Sequence, residues 1–254
     1  MKAYNLLIGI ILLLVAPKVL AEKVFVAVAA NFSQSMQVLQ QAFESQHDHQ
    51  VVLTFGSSGK FYAQIKQGAP YDLFFSADQT KPIALEQENL IVANSRFTYA
   101  IGRLALWSVK AEFNHQLATK FKSNRFDKLA MANPKLAPYG QATIQALTHM
   151  QMLDSTQSKW IQGENVSQVY QFVSSGNADL GFVALSQIFD QERAAGQYWL
   201  IPEAFHQPIK QDVVWLKRAE NNMAAKALLD FVRSEQGKAI ISQQGYVYPQ
   251  AVAL

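Results

Sequence analysis

Four short segments of the sequence place small or polar residues between a predicted strand and a predicted helix. They are Ala29-Ala30-Asn31, Gly56-Ser57-Ser58-Gly59, Ala137-Pro138-Tyr139-Gly140 and Glu164-Asn165-Val166. The first N–H groups of a helix have no partner within the helix, and the macrodipole places partial positive charge there. An anion can therefore bind at such an end. Four helix starts meeting at one point could hold a doubly charged anion with uncharged donors alone.

Each segment also has a purely structural interpretation. Asn31 and Asn165, each with a glutamine three residues later, fit an asparagine form of the capping box, which satisfies backbone N–H groups at a helix start. The segment 56–59 could form a simple turn, and Pro138 suits a helix boundary whether or not a ligand binds. Only the combination of the four segments points to a binding site.

The sequence contains no recognisable nucleotide, hydrolase or metal motif. Gly59 and Lys60 are followed by phenylalanine where a phosphate-binding P-loop needs serine or threonine, and no Gly-x-Ser-x-Gly elbow is present. His47-Asp48-His49 lies on a polar stretch typical of a solvated turn, and the other histidines lack the spacing of metal ligands. Asp72 and Asp78 bracket a predicted strand and are too far apart to share a proton transfer. We expect structural hydrogen bonding from both.

Strand-like and helix-like segments alternate along the chain, the pattern of βα units with parallel strands. Strands are predicted over residues 23–29, 51–55, 72–76, 129–132, 180–185 and 213–216. Helices are predicted over residues 32–43, 61–65, 140–152, 166–173 and 223–232. Because no Gly/Ser-rich linker separates two domains, we predict two lobes joined by crossing strands at 99–108 and 210–216.

The first 21 residues predict a cleavable secretory signal peptide. Lys2 gives a positive start, residues 6–15 form an apolar run, and Ala21 ends a plausible cleavage point. The run is shorter than the roughly 20 apolar residues that a spanning helix needs. We therefore expect a soluble protein exported to the periplasm, free of any membrane anchor.

Composition argues against disulfide bonds and against a nucleic-acid partner. The chain has no cysteine, so burial alone must stabilise the core, and half of its residues are apolar. The formal charge is +3, with Lys2 and Lys18 both in the predicted signal peptide. Since nucleic-acid binding needs a marked basic excess, no nucleic-acid partner is expected.

The four segments and their flanks resemble the periplasmic molybdate-binding protein family in order and spacing. The most specific run is Gly68-Ala69-Pro70-Tyr71-Asp72-Leu73-Phe74-Phe75-Ser76-Ala77-Asp78. The other matching segments are residues 28–32, 55–59, 133–140, 164–166, 178–183, 237–241 and 245–246. The resemblance spans essentially the whole of residues 22–254.

The resemblance implies a fold and a partner. The fold is α/β, that of a two-lobed type II periplasmic binding protein, with two crossover strands and the ligand cleft between the lobes. Lobe I would comprise residues 22–100 and 209–254, and lobe II residues 101–208. The protein would deliver its ligand to the membrane permease of an ATP-driven (ABC) importer, and a monomer is expected.

The resemblance also implies the ligand, molybdate and by extension tungstate, and the residues that bind it. These are Asn31, Ser58, Tyr139 and Val166, with Ala30 and Ser57 as neighbouring candidates. Val166 would act through its main-chain amide. No cofactor is implied, and no side chain would coordinate a metal directly, because the metal arrives within the oxyanion.

One position departs from the family pattern. Many members have a tyrosine after the Gly-x-Val strand, and its hydroxyl reaches the anion, whereas this chain has Ala184. Tyr139 could supply the missing hydroxyl, or its backbone amide could serve alone.

A site made only of donors selects among anions. Hydrogen phosphate needs an acceptor for its proton, and leaving that proton unpaired costs roughly 1–3 kcal/mol. Molybdate, tungstate and sulfate carry no proton, so only cavity size distinguishes them. Two alternatives stay open: a binding protein for sulfate or a small organic anion, and an exported hydrolase with Ser57 or Ser58 as nucleophile.

Overall fold

A computed structural model of the protein describes residues 21–189 and 196–249. The predicted signal peptide, apart from Ala21, lies outside these residues. The described strands are β1 Lys23–Ala29, β2 Gln50–Gly56, β3 Leu73–Phe75, β4 Phe97–Gly102, β5 Leu104–Ser108, β6 Leu129–Ala132, β7 Trp160–Gly163, β8 Leu180–Ala184, β9 Gln197–Leu200 and β10 Ile209–Trp215. The described α-helices are α1 Ser33–Glu44, α2 Ser58–Lys66, α3 Thr80–Gln87, α4 Leu117–Lys122, α5 Pro138–His149, α6 Leu153–Gln157, α7 Val166–Ser174, α8 Met223–Arg233 and α9 Glu235–Gln243.

All the strands and helices predicted from periodicity are found, with shifts at their ends. β1 has the predicted bounds, because its alternating valines are buried on a core face. β10 begins at Ile209, four residues earlier than predicted, since the polar residues that open it are themselves paired in the sheet. Short or polar elements such as β7 and α9 were not predicted because few of their side chains are buried.

The strands form two five-stranded sheets. One has the order β2-β1-β3-β10-β4, and the other has the order β7-β6-β8-β5-β9. In the first, β1 runs parallel to β2 and β3, while β10 is antiparallel to its neighbours. In the second, β6 runs parallel to β7 and β8, while β5 is antiparallel to β8 and β9. We call the first sheet with its helices lobe I and the second lobe II.

The chain passes between the lobes twice. It leaves the first sheet at the end of β4 and enters the second with β5, so the crossing is at Arg103, inside the predicted 99–108. It returns between Leu200 and Ile209. The prediction of a second crossing at 210–216 was therefore wrong, because those residues already lie in the first sheet. The residue limits predicted for the lobes stay a prediction.

Each sheet is covered by helices over its own apolar core. The largest cluster of buried side chains lies mainly in lobe II and includes the wholly buried Phe121 and Leu147. Lobe I has two clusters, one around Phe32 and Met36 and the other around Phe74. Among residues 21–189 and 196–249, no helix is both long and apolar enough to cross a bilayer.

Candidate functional site

The four polar turns predicted from the sequence all follow strands whose neighbours run parallel to them. In lobe I, Ala29 at the end of β1 pairs with Gly56 at the end of β2. In lobe II, Ala132 at the end of β6 pairs with Gly163 at the end of β7. Each lobe therefore presents two of the turns side by side, beyond the carboxyl ends of its strands, where open α/β sheets bind ligands.

We number the four turns in chain order: residues 29–31, 56–59, 137–140 and 164–166. The second and third turns meet across the two lobes through a hydrogen bond between their main chains. The Gly59 N–H donates to the Leu136 carbonyl over 2.9 Å. A Cβ at position 59 would lie 2.9 Å from that oxygen and 3.1 Å from the Leu136 Cα. Only glycine allows this approach, because both obstructing atoms belong to backbone.

The fourth turn contacts both turns of lobe I. The Ser167 hydroxyl, one residue into α7, donates to the Ala30 carbonyl over 3.2 Å. The Lys60 ammonium bridges to the Glu164 carboxylate at 2.9 Å, with both side chains partly exposed. These two contacts hold the start of α7 against the first and second turns.

The first and third turns are joined through a residue of β10. The Asn31 Nδ2 donates to the Gln211 Oε1 over 2.9 Å. The Gln211 Nε2 donates to the Tyr139 hydroxyl over a longer 3.5 Å. Each turn of lobe I is thus linked to both turns of lobe II, which brings the four turns together where the lobes meet.

Three helix starts at this region have uncommitted main-chain donors. α2, α5 and α7 begin at Ser58, Pro138 and Val166. The N–H groups of Ser58, Tyr139 and Val166 lie before the first intrahelical hydrogen bond. Among the described residues none of these three groups has an acceptor.

Two buried serine hydroxyls add side-chain donors. The Ser58 Oγ accepts a hydrogen bond from the Ala77 N–H over 2.9 Å, which leaves its own proton uncommitted. The Ser57 Oγ is buried with no hydrogen-bond partner in the described part of the chain. Leaving a buried hydroxyl unpaired costs roughly 1–3 kcal/mol, so such groups usually have an unobserved partner.

The Asn31 side chain lies inside a hydrogen-bond network. Its Nδ2 donates to the Tyr246 hydroxyl over 3.0 Å as well as to Gln211, which uses both amide hydrogens. The Asn31 carbonyl accepts from Tyr246 over 2.7 Å and from the Ser186 hydroxyl over 3.0 Å. The capping-box interpretation of Asn31 is wrong, since the residue lies within the 3-10 turn Ala30–Phe32 and caps nothing. Its main-chain N–H is the donor left for a ligand.

The Tyr139 hydroxyl points toward the crossing strands. A Cβ at Gly102 would lie 2.1 Å from this oxygen, so the phenol fills the space that the glycine leaves. Burial raises the pKa of Tyr139 well above its ordinary value, and the hydroxyl stays protonated. Of the two possibilities for Tyr139, the geometry favours the backbone amide over the hydroxyl as the group facing the turns.

Asn165 does cap a helix, as the alternative interpretation predicted. Its Oδ1 accepts from the N–H groups of Ser167 and Gln168 over 3.0 and 3.2 Å. The Gln168 side chain accepts in turn from the Glu164 N–H over 2.7 Å. The cap leaves the N–H of Val166 uncommitted, so capping and a ligand contact at this turn are compatible.

The electrostatic surroundings of the turns favour an anion. None of α1, α2, α5 and α7 has an acidic residue in its first turn, where carboxylates are ordinarily favourable. Glu164, the one acidic residue within the four turns, is paired with Lys60. Ala184, the departure from the family pattern, is fully buried and contributes no hydroxyl.

Sequence reasoning did not identify three residues of the network. Gln211, Tyr246 and Ser186 are buried and lie far from Asn31 in sequence. Gln211-Asp212 is a polar pair inside an otherwise apolar strand, which was the one available signal for Gln211. Ser186 gave none, and Tyr246 appeared only in the segment 245–246 of the family resemblance, with no role assigned, because the partners of both residues come together only in the folded chain.

The residues set aside as structural have structural contacts. Asp72 pairs with Arg218 and accepts from the Phe25 N–H. Asp78 pairs with Lys81 at the start of α3. His47 stacks on Phe43, and no group of side chains in the described ranges has the make-up of a metal site.

Comparison with known proteins places these features in a family. A family model described as bacterial extracellular solute-binding protein matches residues 24–247. The molybdate-binding protein ModA of Azotobacter vinelandii is 44% identical over 227 residues, which cover 89% of this chain and 90% of that protein. ModA of Rhodobacter capsulatus is 40% identical and covers 89% of each.

Solved structures give the same picture of the fold. The periplasmic molybdate-binding protein of Azotobacter vinelandii superposes with a TM-score of 0.85 at 39% identity, covering 89% of this chain and all of that one. The sulfate-binding protein SubI of Mycobacterium tuberculosis superposes with a TM-score of 0.70 at 12% identity, covering 89% of this chain and 86% of that one, a likeness of fold alone. The predicted two-lobed α/β fold of type II is confirmed.

Proposed function

This chain belongs to the bacterial extracellular solute-binding protein family, within its molybdate-binding members, and from that premise we propose that it captures molybdate between its lobes. The main observation in support is the uncommitted proton of the buried Ser58 hydroxyl at the meeting of four helix-start turns. A tetrahedral dianion placed there would satisfy that donor, the Ser57 hydroxyl and the free main-chain N–H groups together.

In this proposal the anion is bound by main-chain N–H groups and serine hydroxyls, without a lysine or arginine side chain. The proposed ligand contacts are Asn31, Ser58, Tyr139 and Val166, with Ala30 and Ser57 beside them. Asn31, Tyr139 and Val166 donate through their N–H groups, and Ser58 through N–H and hydroxyl. Helix dipoles supplement each donor, and the low dielectric between closed lobes strengthens every hydrogen bond.

Closure couples binding to the contacts between lobes. The anion completes the donor set only when the turns of both lobes face it, so it favours the closed form by the difference in its affinity for the two forms. The Gly59–Leu136 hydrogen bond and the Lys60–Glu164 ion pair then close the mouth of the site.

A site of donors alone selects deprotonated oxyanions. Hydrogen phosphate would bring a proton with no acceptor, since Glu164 is occupied by Lys60. Tungstate has the charge and shape of molybdate and should bind as well. Sulfate is smaller and cannot reach all the donors at once.

The proposed setting is the periplasm, reached with a signal peptide over residues 1–21 that is then removed. There the protein would act as a monomer, without a cofactor and without catalysis, and pass its ligand to the permease of an ABC importer. The hydrolase alternative has little support, because no histidine contacts Ser57 or Ser58 among the hydrogen bonds of the described residues.

Calorimetric titration of the purified mature protein with molybdate, tungstate, sulfate and phosphate tests the proposal. We expect tight one-to-one binding of molybdate and tungstate, and much weaker or no binding of sulfate and phosphate. Equal affinity for sulfate and molybdate would contradict the selectivity. Ester turnover that is lost in Ser58→Ala would favour the hydrolase.

A further inference from the structure

Gln211 connects the lobe I and lobe II parts of the proposed site through the side chains of Asn31 and Tyr139. Its Oε1 accepts from the Asn31 Nδ2 over 2.9 Å and from the Tyr99 hydroxyl over 3.0 Å. Its Nε2 lies 3.5 Å from the Tyr139 hydroxyl. Asn31 belongs to lobe I and Tyr139 to lobe II, so one fully buried amide holds a proposed ligand residue of each lobe.

The backbone around Gln211 is shaped for this contact. Gly102 on β4 pairs with Ile209 on β10, and a Cβ at Gly102 would lie 2.6 Å from the Gln211 Nε2 as well as against the Tyr139 hydroxyl. The absent side chain leaves space beside Gly102, where the chain is about to cross from lobe I to lobe II. In this space the phenol of Tyr139, from lobe II, meets the amide of Gln211, from lobe I.

A register shift fixes the direction of the Gln211 side chain. The pairing of β10 with β4 shifts between Gln211 and Asp212, as in a β-bulge, and bulges re-aim side chains. Asp212 is buried and held by Arg96 at 2.8 Å and by the Thr98 hydroxyl at 2.6 Å. With its neighbour held in this way, Gln211 has little freedom to turn from the network.

We propose that Gln211 is a positioning residue that sets Asn31 and Tyr139 for the anion, and that it must be a neutral amide to do so. This inference rests on the proposed function. A carboxylate of the same shape could accept from Asn31, Tyr99 and Tyr139 alike. It would also place a negative charge behind a site for a dianion, in an interior where charges interact strongly.

Gln211→Glu tests the requirement for neutrality. We expect its molybdate affinity to fall at least about tenfold at about pH 9, and the loss to shrink toward about pH 6, because burial favours the protonated carboxyl. The wild-type affinity should stay level over this range. The phenols of Tyr99 and Tyr139 contact Gln211, and that of Tyr246 contacts Asn31 beside it. Burial raises the pKa of all three, while Asp212 is paired with Arg96.

Two further variants separate positioning from folding. Gln236→Glu, on an exposed position of α9, adds the same charge far from the network and should leave affinity unchanged. Tyr139→Phe removes the hydroxyl that meets Gln211 without adding charge. It should weaken binding about threefold to tenfold, while the protein still folds, with a thermal midpoint lowered only by the one buried amide N–H left unpaired. This variant remains informative if Gln211→Glu does not fold.

The outcomes distinguish this inference from the function it rests on. Absent wild-type binding of molybdate would contradict the proposed function and the inference together. Wild-type binding with unchanged affinity in Tyr139→Phe and Gln211→Glu would overturn the inference alone. A loss in Gln211→Glu that is equal at both pH values and matched by Gln211→Met would also overturn it, since charge would then play no part.

Discussion

The two halves of the proposed site are built differently. Lobe I offers buried hydroxyls at Ser57 and Ser58 together with main-chain donors. Lobe II offers the main-chain N–H groups of Tyr139 and Val166, whose side chains turn into the protein and are almost fully buried. In the proposed site, side-chain donors can therefore be substituted in lobe I, whereas lobe II would bind through the position of its backbone.

Under the proposed function, this difference separates the residues that would set ligand specificity from those that would respond to closure of the lobes. The Ser57 hydroxyl has no partner in the described part of the chain and the Ser58 hydroxyl has one, the Ala77 N–H, so lobe I can change its donor number by single substitutions that disturb at most one internal hydrogen bond. A helix start can be displaced only by moving its helix, so the contribution of lobe II depends on how closely the lobes approach. The turn at Gly59 links the two, because its glycine sets that approach.

Ser58→Ala should have the largest effect of the substitutions that probe this comparison. It removes a hydroxyl proposed to donate to a dianion, and hydrogen bonds to charged groups contribute about 1.5–3 kcal/mol, so affinity should fall about tenfold to hundredfold. Calorimetric titration with molybdate measures the loss. Ser45→Ala, which removes an exposed hydroxyl bonded to the Ala42 carbonyl, is the matched control and should bind as wild type. Unchanged affinity in Ser58→Ala would mean that lobe I binds through backbone as well.

Gly59→Ala should have the next largest effect. Its methyl group would lie 2.9 Å from the Leu136 carbonyl in the closed form, so the lobes must separate slightly. Overpacking typically costs about 1–3 kcal/mol, and we expect an affinity loss of about tenfold. Stopped-flow binding should place most of the loss in the dissociation rate, because the closed form is the one affected. Gln67→Ala, exposed at the far end of α2, is the control, and equal affinities would show that this approach does not limit closure.

Val166→Ala should have the smallest effect on binding. The main-chain N–H survives the substitution, so molybdate affinity should change by less than about threefold, well under one hydrogen bond to a charged group. Stability should fall by about 1–2 kcal/mol, because the side chain is buried in the core of lobe II. Denaturant unfolding and titration of the same sample measure both. A large affinity loss with little loss of stability would reverse the contrast between the lobes.

Asn31 and Asn165 show what local sequence can and cannot predict. Both are followed by glutamine three residues later, and both fit the same capping pattern. Asn165 follows it because its helix begins at once, at Val166. Asn31 does not, because Gln211 and Tyr246 offer its amide better-placed partners from 180 and 215 residues away.

The sequence by itself determined the elements that burial periodicity specifies and the four turns that end them. The buried valines of β1, the apolar run of β3 and the helix start at Val166 follow from local pattern and backbone chemistry, whereas α2 begins at Ser58, three residues before its predicted start. The tertiary structure alone decided which turns meet, that Tyr139 points its hydroxyl at Gly102, and that Gln211 joins the lobes. Hydrogen bonds between distant residues depend on distances that only packing sets, and local periodicity carries no record of them.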